Sequence, residues 1–179
     1  MSKILTTQLI GLLQRIQQSE EPAIEETARL LAQAGITEGI IYFACFGEME
    51  AVALNAIASA DPFVKFAKWT PTVEIHSTDR VIIFTRSGND AEAIALAKAL
   101  NIKFIPFAAV ASEPASETNE LSELAYTYIS LKVRGGILPH PTNLGERIVM
   151  PHLMAALFIY EAIKLEFDEM ISDEDELDD

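Results

Sequence analysis

The sequence predicts an α/β fold: a three-layer αβα sandwich around a five-stranded parallel sheet, flavodoxin-like in character. Three observations carry this expectation. Short apolar runs rich in β-branched and aromatic residues recur through the middle of the chain. Helical stretches of about 10 to 12 residues separate them, the alternation that builds βαβ units. Longer helices with apolar stripes flank the whole.

The elements follow in order. Leu5, Leu9, Leu12, Leu13 and Ile16 recur at helical intervals, so Lys3–Gln18 reads as a helix with one apolar stripe. A second helix is expected from near Pro22, because proline is tolerated in a first turn. Ile24, Ala28 and Leu31 line its inner face, Glu25 supports Arg29, and Gly35 follows its end. Gly39–Cys45 is a strand buried on both faces. Val64–Trp69 is a weaker strand, and Val81–Thr85 and Ile102–Phe107 repeat the buried texture. Tyr126–Leu131 is a fifth, more alternating strand. Alanine-rich helices are expected over Glu48–Ala58 and Asp90–Leu100, and a long helix from about Pro151 to Met170. Residues 111–120 and 132–147 form two long loops.

Charge narrows the function classes. The chain has 179 residues, 27 acids and 13 bases, a net −14, with half its residues apolar. The apolar half excludes a disordered chain, and the length suits one domain, expected over 1–172. No Lys/Arg cluster interrupts the acidic sequence. This excludes nucleic-acid binding by backbone neutralisation and docking on anionic lipid. Residues 166–179 hold nine acids and no base, which leaves −5 for the body. Residues 173–179 are expected as a solvated acidic tail. One cysteine, Cys45, leaves no internal disulfide and no thiolate zinc site. No apolar stretch reaches the ~18 residues of a membrane span, and no secretory segment is expected. A cytoplasmic protein follows.

Ligands of open parallel sheets collect at the carboxyl ends of the strands, where strand order reverses. One turn answers well: Thr85-Arg86-Ser87-Gly88-Asn89, between a strand and a helix. The Thr85 and Ser87 hydroxyls can donate to phosphate oxygens, and Gly88 lets the backbone approach a ligand. The following helix start favours an anion, and Arg86 adds a fork of charged donors. Against this, Asn89 with Glu92 three residues on forms a capping box, which accounts for much of the turn without a ligand. Asp90 and Glu92 would also oppose a phosphate. The other turn, Ala44 to Glu50, offers Gly47 and the carboxylates Glu48 and Glu50; Cys45 there reads as a small buried hydrophobe. His76, His140 and His152 lack metal-ligand spacing, so neither metal nor cofactor is expected. Arg147, before the last helix, could reach an anion or pair with Glu146.

This order of elements, with Ser87-Gly88-Asn89 opening a helix and a long helix closing the chain, resembles the sugar isomerase (SIS) domain over nearly the whole length. The functional relatives it resembles are the phosphoheptose isomerases. It is more similar still to a small, uncharacterised SIS-like group of Gram-positive bacteria, on Ser77-Thr78-Asp79-Arg80-Val81 and Pro151-His152-Leu153-Met154-Ala155-Ala156-Leu157. The resemblance implies a sugar-phosphate ligand held by Gly47, Glu48, Thr85, Arg86, Ser87, Gly88 and Asn89. The family turn ends in a hydroxyl, where this chain has Asp90. Its first turn is commonly Gly-x-Gly-Gly-Ser, where this chain has Ala44-Cys45-Phe46-Gly47-Glu48. The isomerase histidine and glutamate after that turn fall at about Leu54 and Ala58, and the last-helix histidine near Leu157. None of these moves a proton. Glu48 and His152 are the remaining catalytic candidates.

Three readings follow. The first is a phosphosugar-binding protein without efficient turnover. The second is an aldose–ketose isomerase with a non-standard base. The third is a degenerate scaffold acting through protein contacts. SIS-like proteins generally pair through their helices. That adds to the apolar surround of the last helix, from Leu153 to Ile163, and a homodimer or higher homo-oligomer is expected.

Overall fold

The computed structural model describes residues 1–175, with side chains to Ser172. One long helix opens the chain, α1 (Ser2–Gly35), and β1 (Ile41–Cys45) follows. A single 3-10 turn, Gly47–Met49, leads into α2 (Glu50–Ala58). Then come β2 (Phe66–Lys68), β3 (Arg80–Phe84), α3 (Ala91–Ile102), β4 (Phe107–Ala111), α4 (Glu120–Leu124) and β5 (Thr127–Ser130). A two-residue ladder, β6 (Leu138–Pro139) with β7 (Arg147–Ile148), precedes α5 (His152–Asp175). The rest of the acidic tail, 176–179, lies outside the described residues.

The sheet has the order β2-β1-β3-β4-β5, all parallel. Strand order reverses between β1 and β3. Alternate residues of β1 feed two cores. Ile41, Phe43 and Cys45 join the side covered by α1, α2 and α5. Tyr42 and Ala44 join the side covered by α3 and α4. Phe43, 1% exposed, sits among the rings of Phe63, Phe66, Phe84 and Tyr160 at centroid distances of 4.9–5.9 Å.

Three expectations need correction. The two N-terminal helices are one. Pro22 faces solvent inside α1, so its missing N–H removes a helical bond on the wet side only. Leu12 and Ile16 before it, and Ile24 and Leu31 after it, are all buried in the same core, and that burial carries the helix through the proline. Gly35 accordingly ends α1 rather than following it, and Ile36 caps the helix with ordinary right-handed angles. The strand expected at Ile102–Phe107 lies five residues later. Residues 103–106 form a turn, with Phe104 in left-handed conformation and almost fully exposed. The real strand reads Phe-Ala-Ala-Val-Ala. Alanine is a poor strand former, and helices crowding both faces select it here. The loop expected over 111–120 is shorter, since Asn119 caps α4 by accepting from the Ser122 N–H.

α1 packs along α5 within the chain, which covers much of the last helix's apolar surround. Ile4 and Ile10 on α1, and Met154 and Leu165 on α5, stay exposed. Among the described residues, no helix is long and apolar enough to cross a membrane.

Candidate functional site

The turns after β1 and β3 meet at the strand-order reversal, and they hold each other. The Arg86 guanidinium donates to both oxygens of Glu48, at 2.5 and 2.8 Å. That bond is the main reason the Glu48 carboxyl lies below its ordinary pKa. Gly47 turns the chain with φ of +58°, a conformation other residues adopt only with strain. Glu48 is thus delivered to Arg86 by a glycine turn.

The donors of the Thr85–Asn89 turn are already answered. Thr85, 1% exposed, donates its hydroxyl to Asp90 at 3.0 Å. Asp90, not Asn89, caps α3: its other oxygen accepts from the N–H groups of Glu92 and Ala93 at 2.9 and 3.0 Å. This corrects the capping box. Asp90 stands one residue closer to the helix, with extended backbone angles, and its carboxylate reaches the Glu92 and Ala93 amides. Ser87 donates to one oxygen of Glu113 at 2.7 Å, and the Gly88 N–H donates to the other at 2.6 Å. The Asn89 side chain is exposed, and the Asn89 backbone N–H donates to the Ser87 hydroxyl.

Glu113 therefore occupies the cradle that a phosphate was expected to fill. Burial pushes its carboxyl up, but the Gly88 and Ser87 hydrogen bonds outweigh this and leave it below the ordinary value. Its position is built from behind. The Tyr128 hydroxyl donates to the Glu113 carbonyl at 2.7 Å, and Asn119 Nδ2 donates to that hydroxyl and to Pro114 O, both at 3.0 Å. Burial raises the Tyr128 phenol to about 12, so it remains a proton donor. Gly88 is required by close approach: a Cβ there would lie 2.7 Å from Asn119 Oδ1.

His152, the first residue of α5, is 7% exposed, and its Nδ1 has no hydrogen-bond partner. It stands within electrostatic reach of Arg86, Glu48 and Glu113. Burial and Arg86 depress its pKa, so the ring is neutral at pH 7. Leu54 is exposed on α2, and His76 and His140 belong to other parts of the surface. Cys45 is buried, with its thiol pushed up to about 12, and is no nucleophile. Among the described residues, no group of three or more His, Cys, Asp or Glu side chains is placed to hold a metal. Glu113, Asn119 and Tyr128 are the site residues that sequence reasoning missed; a lone Glu inside a polar loop carries no spacing signal.

Residues 1–171 match the model of a family described as a domain of unknown function, DUF2529. The chain belongs to that family. A curated relative, the uncharacterized protein YwjG of Bacillus subtilis strain 168, is 34% identical over 174 residues, covering 97% of this chain and 99% of YwjG. Solved structures extend the likeness at the level of fold. Phosphoheptose isomerase GmhA from Neisseria gonorrhoeae is similar with a TM-score of 0.63 at 15% identity, covering 92% of this chain and 95% of that one. The sugar isomerase domain of the RpiR transcription factor from Sphaerobacter thermophilus has a TM-score of 0.59 at 16% identity, covering 99% and 97%. The Vibrio vulnificus NanR protein, solved with ManNAc-6P, has a TM-score of 0.62 at 12% identity, covering 98% of this chain and 63% of that one. The chain has the SIS fold.

Proposed function

We propose that this protein binds a sugar phosphate at the β1/β3 reversal and does not isomerise it. The observation that carries the reading is the convergence of the Ser87 hydroxyl and the Gly88 N–H on one carboxylate. Two donors aimed at a single oxyanion form a phosphate-sized cradle, and an incoming phosphate takes the place of Glu113. The unpartnered Nδ1 of buried His152 supports a polar ligand beside it. Arg86 then leaves Glu48 for the phosphate or stays to orient Glu48 toward a sugar hydroxyl.

Turnover is opposed by the same geometry. Taking a proton from carbon beside a carbonyl needs a base with a raised or near-neutral pKa. Glu48 is held low by Arg86, and Leu54, Ala58 and Leu157 are apolar. Thermal melting against hexose, pentose and heptose phosphates tests the binding. At least one ester is expected to raise the melting temperature while its parent sugar does not. No shift with any ester leaves the third reading, a scaffold acting through protein contacts. That reading is favoured by one observation: Thr85, Arg86, Ser87 and Gly88 already have carboxylate partners.

The proposal places this binder in a reducing cytoplasm, where a free Cys45 is stable, as one domain over 1–172 with an acidic tail. It also takes the protein as a homodimer, with a second copy covering Ile4 and Ile10 and the 132–147 segment reaching the partner's sugar site.

A further inference from the structure

A cavity of about 1000 Å³ opens at the carboxyl ends of β4 and β5, beside the reversal but away from the Glu48–Arg86 pair. The middle of α1, the loop after β4 and the chain after β5 enclose it. Four of the chain's 13 cations line it: Arg15, Lys132, Arg134 and Arg147. In a chain of net −14, nearly a third of the positive charge at one cavity is a concentration that solubility does not require.

These cations differ in what already holds them. Lys132 is paired with Glu20 at 2.8 Å, and Glu20 is itself fixed by the Ser130 N–H. Arg147 is aimed by two carbonyls, donating from Nε to Gly136 O at 2.7 Å and from one terminal nitrogen to Ile137 O at 2.9 Å. Its other terminal nitrogen has no such partner among the described residues. Arg15 and Arg134 have no carboxylate partner among the described residues. The facing wall is partly apolar, with Leu12, Val133 and Ile137. Ser112 and Ser130 add hydroxyls to the lining; Ser130 donates to the Ser112 carbonyl at 3.0 Å, and Ser112 donates to the Arg86 carbonyl.

We infer that this cavity is a second ligand site, for a small molecule bearing a diphosphate or two separate phosphates. Guanidinium forks suit phosphate oxygens two at a time. Two unpaired arginines, with a third aimed by carbonyls, match more than one phosphoryl group. Leu12 of α1, with Val133 and Ile137 after β5, offers apolar contact to the carbon skeleton. Glu113 lies on the shared wall, between this cavity and the cradle it occupies. A single phosphate is answered by the cradle; the cavity needs the second.

Pyrophosphate is the minimal probe, followed by isothermal titration calorimetry on the full chain, with inorganic phosphate and ADP as comparisons. One pyrophosphate per chain is expected, bound more tightly than phosphate. Tighter binding of ADP assigns the diphosphate to a nucleotide, and equal binding to a non-nucleotide source. The double substitution Arg15→Gln with Arg134→Gln is expected to weaken pyrophosphate binding about tenfold or more, since each removes charge-assisted bonds. Both side chains are exposed, so folding is retained and circular dichroism checks it. Lys98→Gln, which removes one positive charge from a surface pair with Glu120, leaves binding unaltered. Equal binding by the double variant and by the wild type overturns the inference, as does binding that fails to saturate. Neither result bears on the cradle, whose test uses monophosphate esters and other residues.

Discussion

The amide of Gly88 donates to the carboxylate of Glu113 at 2.6 Å, across 25 residues of sequence. This contact closes the expected anion turn with an anion of the chain itself. Glu113→Gln keeps the shape and one oxygen acceptor but removes the charge that competes with phosphate. The variant is expected to bind sugar phosphates more tightly than the wild type, by about 1.5–3 kcal/mol, the range of a bond to a charged group. Melting shifts at matched ester concentration measure it. An equal or smaller shift would place the ligand elsewhere.

Asp90 joins Thr85 to the start of α3. Asp90→Ala removes the cap and strands a buried hydroxyl. A loss of about 1–2 kcal/mol in urea unfolding is expected. Asp90→Asn, which keeps an acceptor, should recover much of it.

His152 sets a pH dependence. Burial, then Arg86, holds its folded pKa below the ordinary value. As pH falls below about 6.5, the unfolded chain takes up a proton that the folded chain refuses. Stability therefore declines with pH from there until the folded value is passed. His152→Asn is expected to flatten that part of the profile, read as melting temperature against pH. A phosphate bound beside the ring would favour the imidazolium, so sugar-phosphate binding should be accompanied by proton uptake near pH 6.

Pro22 lies on the solvent face of a helix that runs through it unbroken. Pro22→Ala restores a backbone N–H and removes the ring's clash with the preceding turn. A stabilisation of about 1–3 kcal/mol is expected. Destabilisation would mean that the packing of Leu12 and Ile24 on one core depends on the proline ring.

Phe43→Ala empties the centre of an aromatic cluster. The expected cost is about 3–5 kcal/mol. The proposed homodimer has a simpler check. Light scattering at micromolar concentration should give twice the 19.7 kDa of one chain, and Ile10→Glu should reduce it to one.

Much of this molecule is local in origin. Gly39–Cys45 and Val81–Thr85 read as buried strands because runs of β-branched and aromatic side chains have no other stable home. The alternation with α2 and α3 then dictates a parallel sheet and places both turns at its carboxyl edge. Gly47 and Gly88 were legible for the same reason, since a glycine at a strand end marks a tight turn or a close approach. Other features depend on neighbours distant in sequence. α1 runs through Pro22 only because both its halves bury apolar residues in one core. β4 is a strand only because helices press on both sides of its alanines. The occupant of the cradle was legible least of all. Glu113, Tyr128 and Asn119 carry no spacing pattern, and the Glu113 carbonyl, the phenol and the amide meet only after β4 and β5 pair. Residue type and spacing fix where donors stand along the chain; which acceptor answers them is decided when the folded backbone brings distant segments within hydrogen-bond reach.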